Sequence, residues 1–472
     1  MSNKSLSSTT IIYTIGNFAS KLIGFVLVFF ITFYLTKADV GRYDIIITTI
    51  SMFVPLINLQ LTDGILRWLL VNNDDTQKKI ILTNSLLIFL LNSILFTIIY
   101  VFVVQYIKED FKLIIYFLLL LQSLFPLVQI FTRGVGKNML FAASGVVYSF
   151  FYTGFTILSL LVFHLKVDGL LLANIVAIII TVIYLLVYGN MFQYISFRYF
   201  DRKFIKEIIV YSLPIIPNAY SWWLYSSANR YVILYFLGLE FSGIWAISYK
   251  LPTIFTMFSG IFFMAWQEKS IREFNSPNRD EYFSSVLKTF ISLSLGIIVV
   301  LVACSKTLLY FIVQKSFFIS WQYTSLLLMA GLFQSLSLFY GVGYLYAKET
   351  KKILYTTLIG SVVTLIFSVF LIKFTGLYGV AFASALGFFV MFILRLKQTK
   401  IYFTITFPIK KTLYLLAAVV ICNMLNYVDS FYVQAINIAA SLLIFYMANR
   451  LFLNNKISSL KVVLLNKYNA KK

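Results

Sequence analysis

The chain has 472 residues, of which 60% are hydrophobic and only 12% are charged, and its formal net charge is +22. A water-soluble domain carries about 25% charged residues, so this composition excludes a water-soluble globular protein. The 48 phenylalanines and 32 tyrosines exclude a disordered chain, and two cysteines inside apolar runs exclude a disulfide scaffold. The apolar runs are continuous rather than alternating. They therefore predict an all-α polytopic membrane protein and not a β-barrel.

Apolar runs of spanning length predict about 14 transmembrane helices, with ends placed to within about 2–4 residues. The first run is longer than the apolar part of a signal peptide, so we expect it to be the first span rather than a cleaved leader. In chain order the runs are 10–36, 45–70, 81–104, 113–132, 139–164, 169–189, 208–236, 243–265, 289–313, 322–346, 353–373, 376–394, 412–427 and 431–450.

Basic residues lie mainly in alternate segments between these runs. If the N-terminus is inside, the inner segments hold most of the lysines and arginines, including Arg395 and the basic C-terminal tail. This bias predicts that both ends of the chain are cytoplasmic, and it accounts for the net charge without a nucleic-acid partner. Lys306, near the outer end of the ninth run, is the basic residue that the distribution of charge assigns least clearly to one side of the membrane.

A short pattern occurs at the outer ends of the first and seventh runs. Leucine, an acid, glycine and an aromatic residue recur, with the glycines at Gly41 and Gly243. With six spans in each half, this repeat predicts two lobes in a parallel pseudo-twofold arrangement. The predicted lobes are 8–200 and 201–398, and 399–472 adds two further helices and a basic cytoplasmic tail.

Five of the charged residues inside predicted spans are candidates for a functional site. A charge at the centre of a bilayer costs about 2.5–3.5 kcal/mol, so such residues face a protein interior, face a wet cavity, or reach the membrane surface. The four cations outnumber the single acid, and all five fall on the first two helices of a predicted lobe. They are Lys21, Asp63, Arg67, Arg230 and Lys250.

Lys21 is the most informative of these charges because it lies near the middle of its span. It shares one helical stripe with Asn17, and we expect both to face a cavity. Asp63 and Arg67 are four residues apart and can form an ion pair, so a structural pair and a functional site are equally good interpretations. Arg230 and Lys250 could face a cavity or reach the outer surface.

Polar and aromatic residues form a second stripe, on the seventh run. Such a face is costly against lipid tails, so it is predicted to line a wet cavity, and aromatic faces also suit sugar rings. The stripe consists of Asn218, Trp222, Tyr225 and Asn229.

Sites for other chemistry are missing from the sequence. It has one histidine, His164, and two distant cysteines, so no metal cluster is expected. It has no phosphate-binding loop and no dinucleotide fingerprint. Because the outer segments are also short, we expect neither an enzyme nor a bound cofactor.

The segment from Tyr211-Ser-Leu-Pro through Asn229-Arg230 to Tyr249-Lys250-Leu resembles the start of the second lobe of bacterial polysaccharide-biosynthesis flippases. These proteins export O-antigen or capsule repeat units and belong to the multidrug/oligosaccharidyl-lipid/polysaccharide (MOP) superfamily, which has the MATE-like fold. The opening from Leu35 to Tyr43 is similar to the same family. Length, span number and orientation agree along the chain.

This resemblance implies a two-lobed, V-shaped cavity in the bacterial cytoplasmic membrane. It implies that the protein flips an undecaprenyl-diphosphate-linked oligosaccharide to the outer leaflet by antiport with H⁺ or Na⁺, beside a polysaccharide polymerase and glycosyltransferases. Lys21, Arg67, Arg230 and Lys250 approximately match the family's cationic cavity positions, and fixed cations suit a diphosphate. Asp63, as the only acid within a predicted span, is the candidate for ion coupling.

Three other functions fit the same composition. A lipid II flippase has a similar cationic cavity, although the motif in the seventh run favours the polysaccharide branch. A multidrug cation antiporter would use acidic cavity residues, and four bases against one acid argue against it. A membrane scaffold without transport activity would need neither Lys21 in mid-span nor the polar stripe.

Overall fold

A computed structural model describes residues 3–71, 74–106 and 110–469, and all regular structure in these residues is helical. The side chains left out of this description are those of 3–15, 17, 451, 453 and 455–469. The α-helices of the described residues, α1 to α18 in chain order, are Asn3–Tyr34, Lys37–Ile57, Leu61–Val71, Asp75–Val103, Lys112–Gly134, Asn138–Leu161, Val167–Tyr188, Arg202–Ser212, Ile216–Ser227, Asn229–Leu237, Leu239–Ser248, Lys250–Arg272, Arg279–Ile312, Trp321–Tyr346, Thr350–Thr375, Leu377–Gln398, Ile409–Leu425 and Phe431–Asn469.

The predicted all-α polytopic fold is confirmed. Ten helices of the described residues are long and apolar enough to cross a membrane, and α11 with α12, which meet at a bend of 41°, would make an eleventh. The number of spans is therefore approximate. The chain is a multi-pass membrane protein.

Besides the span predicted at 243–265, which divides into α11 and α12, two predicted spans are broken by local backbone conformation. The span predicted at 45–70 divides into α2 and α3 because Leu59 and Gln60 adopt positive φ values of 51° and 54°. The span predicted at 208–236 divides into α8, α9 and α10. Pro214 and Pro217 lie at the first of these breaks, and proline cannot donate the backbone hydrogen bond that would continue a helix.

The start of α2 lies eight residues before the predicted one because Thr36 caps the helix. The Thr36 hydroxyl accepts from the Asp39 amide at 3.1 Å, and the Asp39 carboxylate accepts from the Thr36 amide at 3.1 Å. This reciprocal pair satisfies two amide groups that a helix start leaves without partners. The acid of the repeated pattern is thus a capping residue here.

Contacts divide the chain into two compact units, Met1–Ala246 and Ile247–Lys472. The first unit has an apolar core that includes Ile50, Phe131 and Ile208. Helices α8 to α10 belong to this unit. The two lobes predicted at 8–200 and 201–398 are defined by sequence repetition rather than by contact. They stay a prediction, as does the addition of two helices and a tail at 399–472.

The second unit is built around stacked aromatic rings and a buried guanidinium. Trp266 stacks on Phe339 with ring centroids 4.3 Å apart and donates to the Phe339 carbonyl oxygen at 3.1 Å. Arg395, predicted to lie in a cytoplasmic loop, is 1% exposed instead, because α16 continues beyond it. It donates to the Thr356 and Thr357 hydroxyls at 3.1 and 3.0 Å and to the Ser337 carbonyl oxygen at 3.1 Å. One side chain thereby joins α14, α15 and α16.

Lys306 joins α13 to the turn between the last two helices. Its ammonium donates to the Asn426 carbonyl oxygen at 2.6 Å and forms an ion pair of 2.5 Å with Asp429. Near the other end of α13, the Ser292 hydroxyl donates to the Asn449 side chain of α18 at 2.8 Å. Both contacts hold α17 and α18 against α13 within the second unit.

Arg395→Ala should destabilise the second unit, because it removes a buried donor and leaves three oxygens of neighbouring helices without it. We expect a loss of about 1–3 kcal/mol, the usual range for leaving buried polar groups without their partner. Thermal unfolding in detergent measures the effect, with the exposed Lys397→Ala as the matched control. Equal unfolding midpoints for the two variants would contradict this role for Arg395.

Candidate functional site

The first unit contains a long contact between α2 and the helices α9, α10 and α11, which we name the α2 seam. Gly41 of α2 and Gly243 of α11 lie where the backbones approach most closely. A methyl group on Gly41 would lie 2.0 Å from the Leu239 carbonyl oxygen, and one on Gly243 would lie 2.0 Å from the Lys37 carbonyl oxygen. Only glycine permits this approach. The two glycines of the repeated pattern are therefore partners in one contact.

An ion pair lies beside this glycine contact. The Arg230 Nε of α10 lies 2.5 Å from Asp44 Oδ2 of α2, and the two side chains are only 16% and 20% exposed. The Arg230 Nη1 also donates to the Ser226 carbonyl oxygen at 2.8 Å. Asp44 is not among the predicted site residues, because it lies just before the predicted span 45–70, whereas the helix begins at Lys37.

Hydrogen bonds continue the α2 seam towards the end of α2. The Tyr231 and Thr49 hydroxyls lie 2.7 Å apart, and the Tyr220 hydroxyl donates to the Met52 carbonyl oxygen at 2.7 Å. The Trp223 indole donates to the Ser51 hydroxyl at 3.2 Å. Polar aromatic residues of α9 and α10 therefore face α2. These three aromatic residues are not members of the predicted stripe.

A second ion pair lies at the start of α2. The Lys37 ammonium lies 3.1 Å from the Glu240 carboxylate, but the side chains are 30% and 62% exposed. Exposed pairs of this kind contribute about 0–1 kcal/mol. This pair joins α2 to α11, whereas the more buried Arg230–Asp44 pair joins α2 to α10.

The predicted stripe of the seventh run has mixed surroundings. Tyr225 and Asn229 are each 2% exposed, whereas Trp222 and Asn218 are half-buried. Within the described part of the chain, the Asn218 Oδ1 atom is buried and has no hydrogen-bond partner. The role of these four residues in lining a wet cavity stays a prediction.

Lys21 is exposed on α1, and among the described residues it has no ion pair or hydrogen bond. The side chain of Asn17, its predicted neighbour on the stripe, lies outside the described residues. Lys250 lies in the second unit at the start of α12 and is half-buried. The cavity roles predicted for these three residues stay predictions.

Asp63 and Arg67 do not form the ion pair that their spacing allows. No ion pair joins them among the described residues, and both side chains are exposed on α3. The Arg67 guanidinium instead lies over two aromatic rings, 4.4 Å from the Tyr211 centroid and 5.6 Å from that of Trp68. Cation–π attraction therefore replaces the expected charge pairing. Asp44 is also better enclosed than Asp63.

No three histidine, cysteine, aspartate or glutamate side chains converge on a metal-sized site in the part of the chain that the structure describes.

In the second unit, outside the spanning segments, Lys352 and Tyr402 donate to the Glu349 carboxylate and hold its pKa below the usual value. In the first unit, the α2 seam combines a partly buried ion pair with close helix packing, and we take it as the candidate site.

A family model described as "Polysaccharide biosynthesis protein" matches residues 6–267, more than half of the chain. The chain belongs to this family. The matched region contains the whole α2 seam and the start of α12. The predicted family is thereby confirmed. A search of curated proteins by sequence found no match.

Three solved structures share the fold. The lipid II flippase MurJ, in an inward closed conformation, is 14% identical, with a TM-score of 0.69 over 95% of this chain and 100% of that one. An inward-facing MATE-family multidrug transporter of the MOP superfamily is 12% identical, with a TM-score of 0.68 over 81% and 95%. A MOP transporter from Pyrococcus furiosus is 14% identical, with a TM-score of 0.63 over 84% and 95%. At such low identity these similarities establish the fold alone.

Gly41→Ala should loosen the α2 seam because the added methyl group overlaps a backbone carbonyl. We expect a loss of about 1–3 kcal/mol, the usual range for overpacking, seen as a lower unfolding midpoint in detergent. Gly24→Ala is the matched control, since a methyl group there meets nothing within 4 Å. If Gly41→Ala unfolded no earlier than Gly24→Ala, the close approach would not limit stability.

Proposed function

We propose that this protein is a flippase that moves undecaprenyl-diphosphate-linked oligosaccharide repeat units from the cytoplasmic to the outer leaflet. The observation that carries the proposal is Arg230, a partly buried guanidinium inside the region that matches the polysaccharide-biosynthesis family. The products of such transport would be built into O-antigen or capsule. The substrate is then a lipid-linked glycan, and membrane lipids surround the protein.

Fixed cations are what a diphosphate requires in a membrane. A phosphate group taken from water into a low-dielectric site needs charge-assisted hydrogen bonds, and a guanidinium supplies several from one plane. Arg230, Lys21, Arg67 and Lys250 are the proposed contacts. The half-buried Trp222 and the amide of Asn218 offer surfaces for sugar rings.

We propose that transport is driven by an H⁺ or Na⁺ gradient and needs no bound cofactor. Asp63 is the proposed coupling residue. The protein would lie in the bacterial cytoplasmic membrane with both ends in the cytoplasm, beside the polymerase and glycosyltransferases of its pathway. It would carry out no covalent chemistry of its own, and the flippase and the multidrug transporter of similar fold support that assignment.

A lipid II flippase is the second candidate, because the solved structure of such a flippase covers this chain almost completely. Both candidates would move a lipid-linked substrate across the membrane, so they differ in the substrate alone. Rescue of a strain that lacks its lipid II flippase would favour this candidate, whereas rescue of a strain that lacks its repeat-unit flippase would favour the first.

Lys21→Ala or Arg230→Ala should reduce surface polysaccharide at least ten-fold, because each removes a cation that the diphosphate needs. Polysaccharide is measured on cells in which the variant is the sole repeat-unit flippase. Membrane insertion is checked by immunoblot, and Arg230→Lys tests whether charge alone suffices. Normal polysaccharide in both alanine variants would refute the cationic site.

Asp63→Asn should weaken ion-coupled export because an amide cannot take up and release a proton or bind Na⁺ as a carboxylate does. The measurement is glycolipid translocation in proteoliposomes with and without an imposed ion gradient. Asp74→Asn, the same acid-to-amide change at an exposed residue just before α4, serves as the control. If Asp63→Asn responded to the gradient as the wild type does, Asp63 would be excluded as the coupling residue.

A further inference from the structure

Arg230 already has an anionic partner in the first unit. Its Nε binds the Asp44 carboxylate at 2.5 Å, and its Nη1 binds the neutral Ser226 carbonyl oxygen. A guanidinium has five donors in one plane and binds carboxylate and phosphate in the same way. Asp44 therefore occupies a position on Arg230 that a phosphate oxygen could also take.

The two members of this pair lie on different helices. Asp44 is on α2 and Arg230 is on α10, so the pair is part of what holds the α2 seam together. The neighbouring Thr49–Tyr231 and Ser51–Trp223 contacts are neutral hydrogen bonds. Neither contact contains a cation, so neither attracts a phosphate group. The phosphate is therefore expected to compete with Asp44 for Arg230 and not to displace either of these two contacts directly.

We propose that the substrate's diphosphate and Asp44 compete for Arg230, so that substrate binding exchanges one anion for another and loosens α2 from α10. This inference rests on the proposed function. It assigns to Asp44 the role of a positioning residue, which acts on the substrate through Arg230 and does not touch it.

The exchange has a physical consequence for the α2 seam. Arg230 keeps an anionic partner throughout, so the guanidinium is never left without compensation. Asp44 loses its cation, and a carboxylate without a partner is costly inside a membrane span. The carboxylate must then gain contact with water, which requires α2 to move away from α10. Binding energy of the diphosphate is thereby converted into opening of the α2 seam.

Binding of farnesyl diphosphate to the full-length protein in detergent tests the competition. Asp44→Asn removes the competing carboxylate, and we expect affinity to rise roughly five-fold or more, because the diphosphate no longer has to displace an anion from Arg230. Arg230→Gln should lower affinity at least ten-fold. Lys37→Gln is the matched control, since it breaks the exposed pair of the same α2 seam and should change affinity less than two-fold.

Cross-linking tests the opening. Cysteines replace Thr49 of α2 and Tyr231 of α10 in a protein whose Cys304 and Cys422 are alanine, and a short bifunctional thiol reagent joins them in membrane vesicles. Farnesyl diphosphate should slow the cross-link at least three-fold, and farnesol should not. With Arg230→Gln the diphosphate should have no effect. An unchanged cross-linking rate in the otherwise unsubstituted protein would overturn the coupling between exchange and opening.

The outcomes separate the two proposals. If farnesyl diphosphate does not bind the wild type, the diphosphate substrate and the exchange both fail. If it binds in an Arg230-dependent manner but Asp44→Asn binds no more tightly, the exchange alone is overturned. Asp44→Ser provides a second variant, and a monodisperse elution profile identifies folded protein for both.

Discussion

Close backbone packing at Gly41 and Gly243 is the constraint on which the first unit depends. Without side chains at these positions, α2 and α11 approach until carbonyl oxygens occupy the space of a methyl group. The approach sets the register of α2 against α10. That register brings Asp44 beside Arg230, although 186 positions of the chain separate them. The two glycines thereby determine which charged side chains of α2 and α10 meet.

The two most enclosed guanidiniums described above have different kinds of partner. Arg395 is almost fully buried and donates to two hydroxyls and a carbonyl oxygen of neighbouring helices. Such neutral oxygens belong to the helix scaffold and tie it together. Arg230 is held by a carboxylate, which a second anion can replace because both bind the same donors. A buried cation is therefore suited to ligand binding when its partner is itself exchangeable.

The sequence predicted the helices well and the partners of side chains poorly. Apolar run length determines a span locally, so most helix ends agree within a few residues, and the Tyr211–Lys250 segment identified the family. The break at Leu59 and Gln60 depends on backbone conformation that hydropathy does not contain. The Arg67 contact with Tyr211 and the Arg230 contact with Asp44 depend on how distant helices pack. Single-sequence periodicity carries no information about that packing.

The polar contacts of Lys306 limit how this architecture can be shortened. An evolutionary loss of α17 and α18 would remove Asn426 and Asp429 together, and Lys306 would lose both of its acceptors from that turn. Ser292 would lose its Asn449 partner in the same event. A shorter relative must therefore change α13 at both positions at once. Loss of the last two helices is therefore expected to be accompanied by substitution of both Lys306 and Ser292.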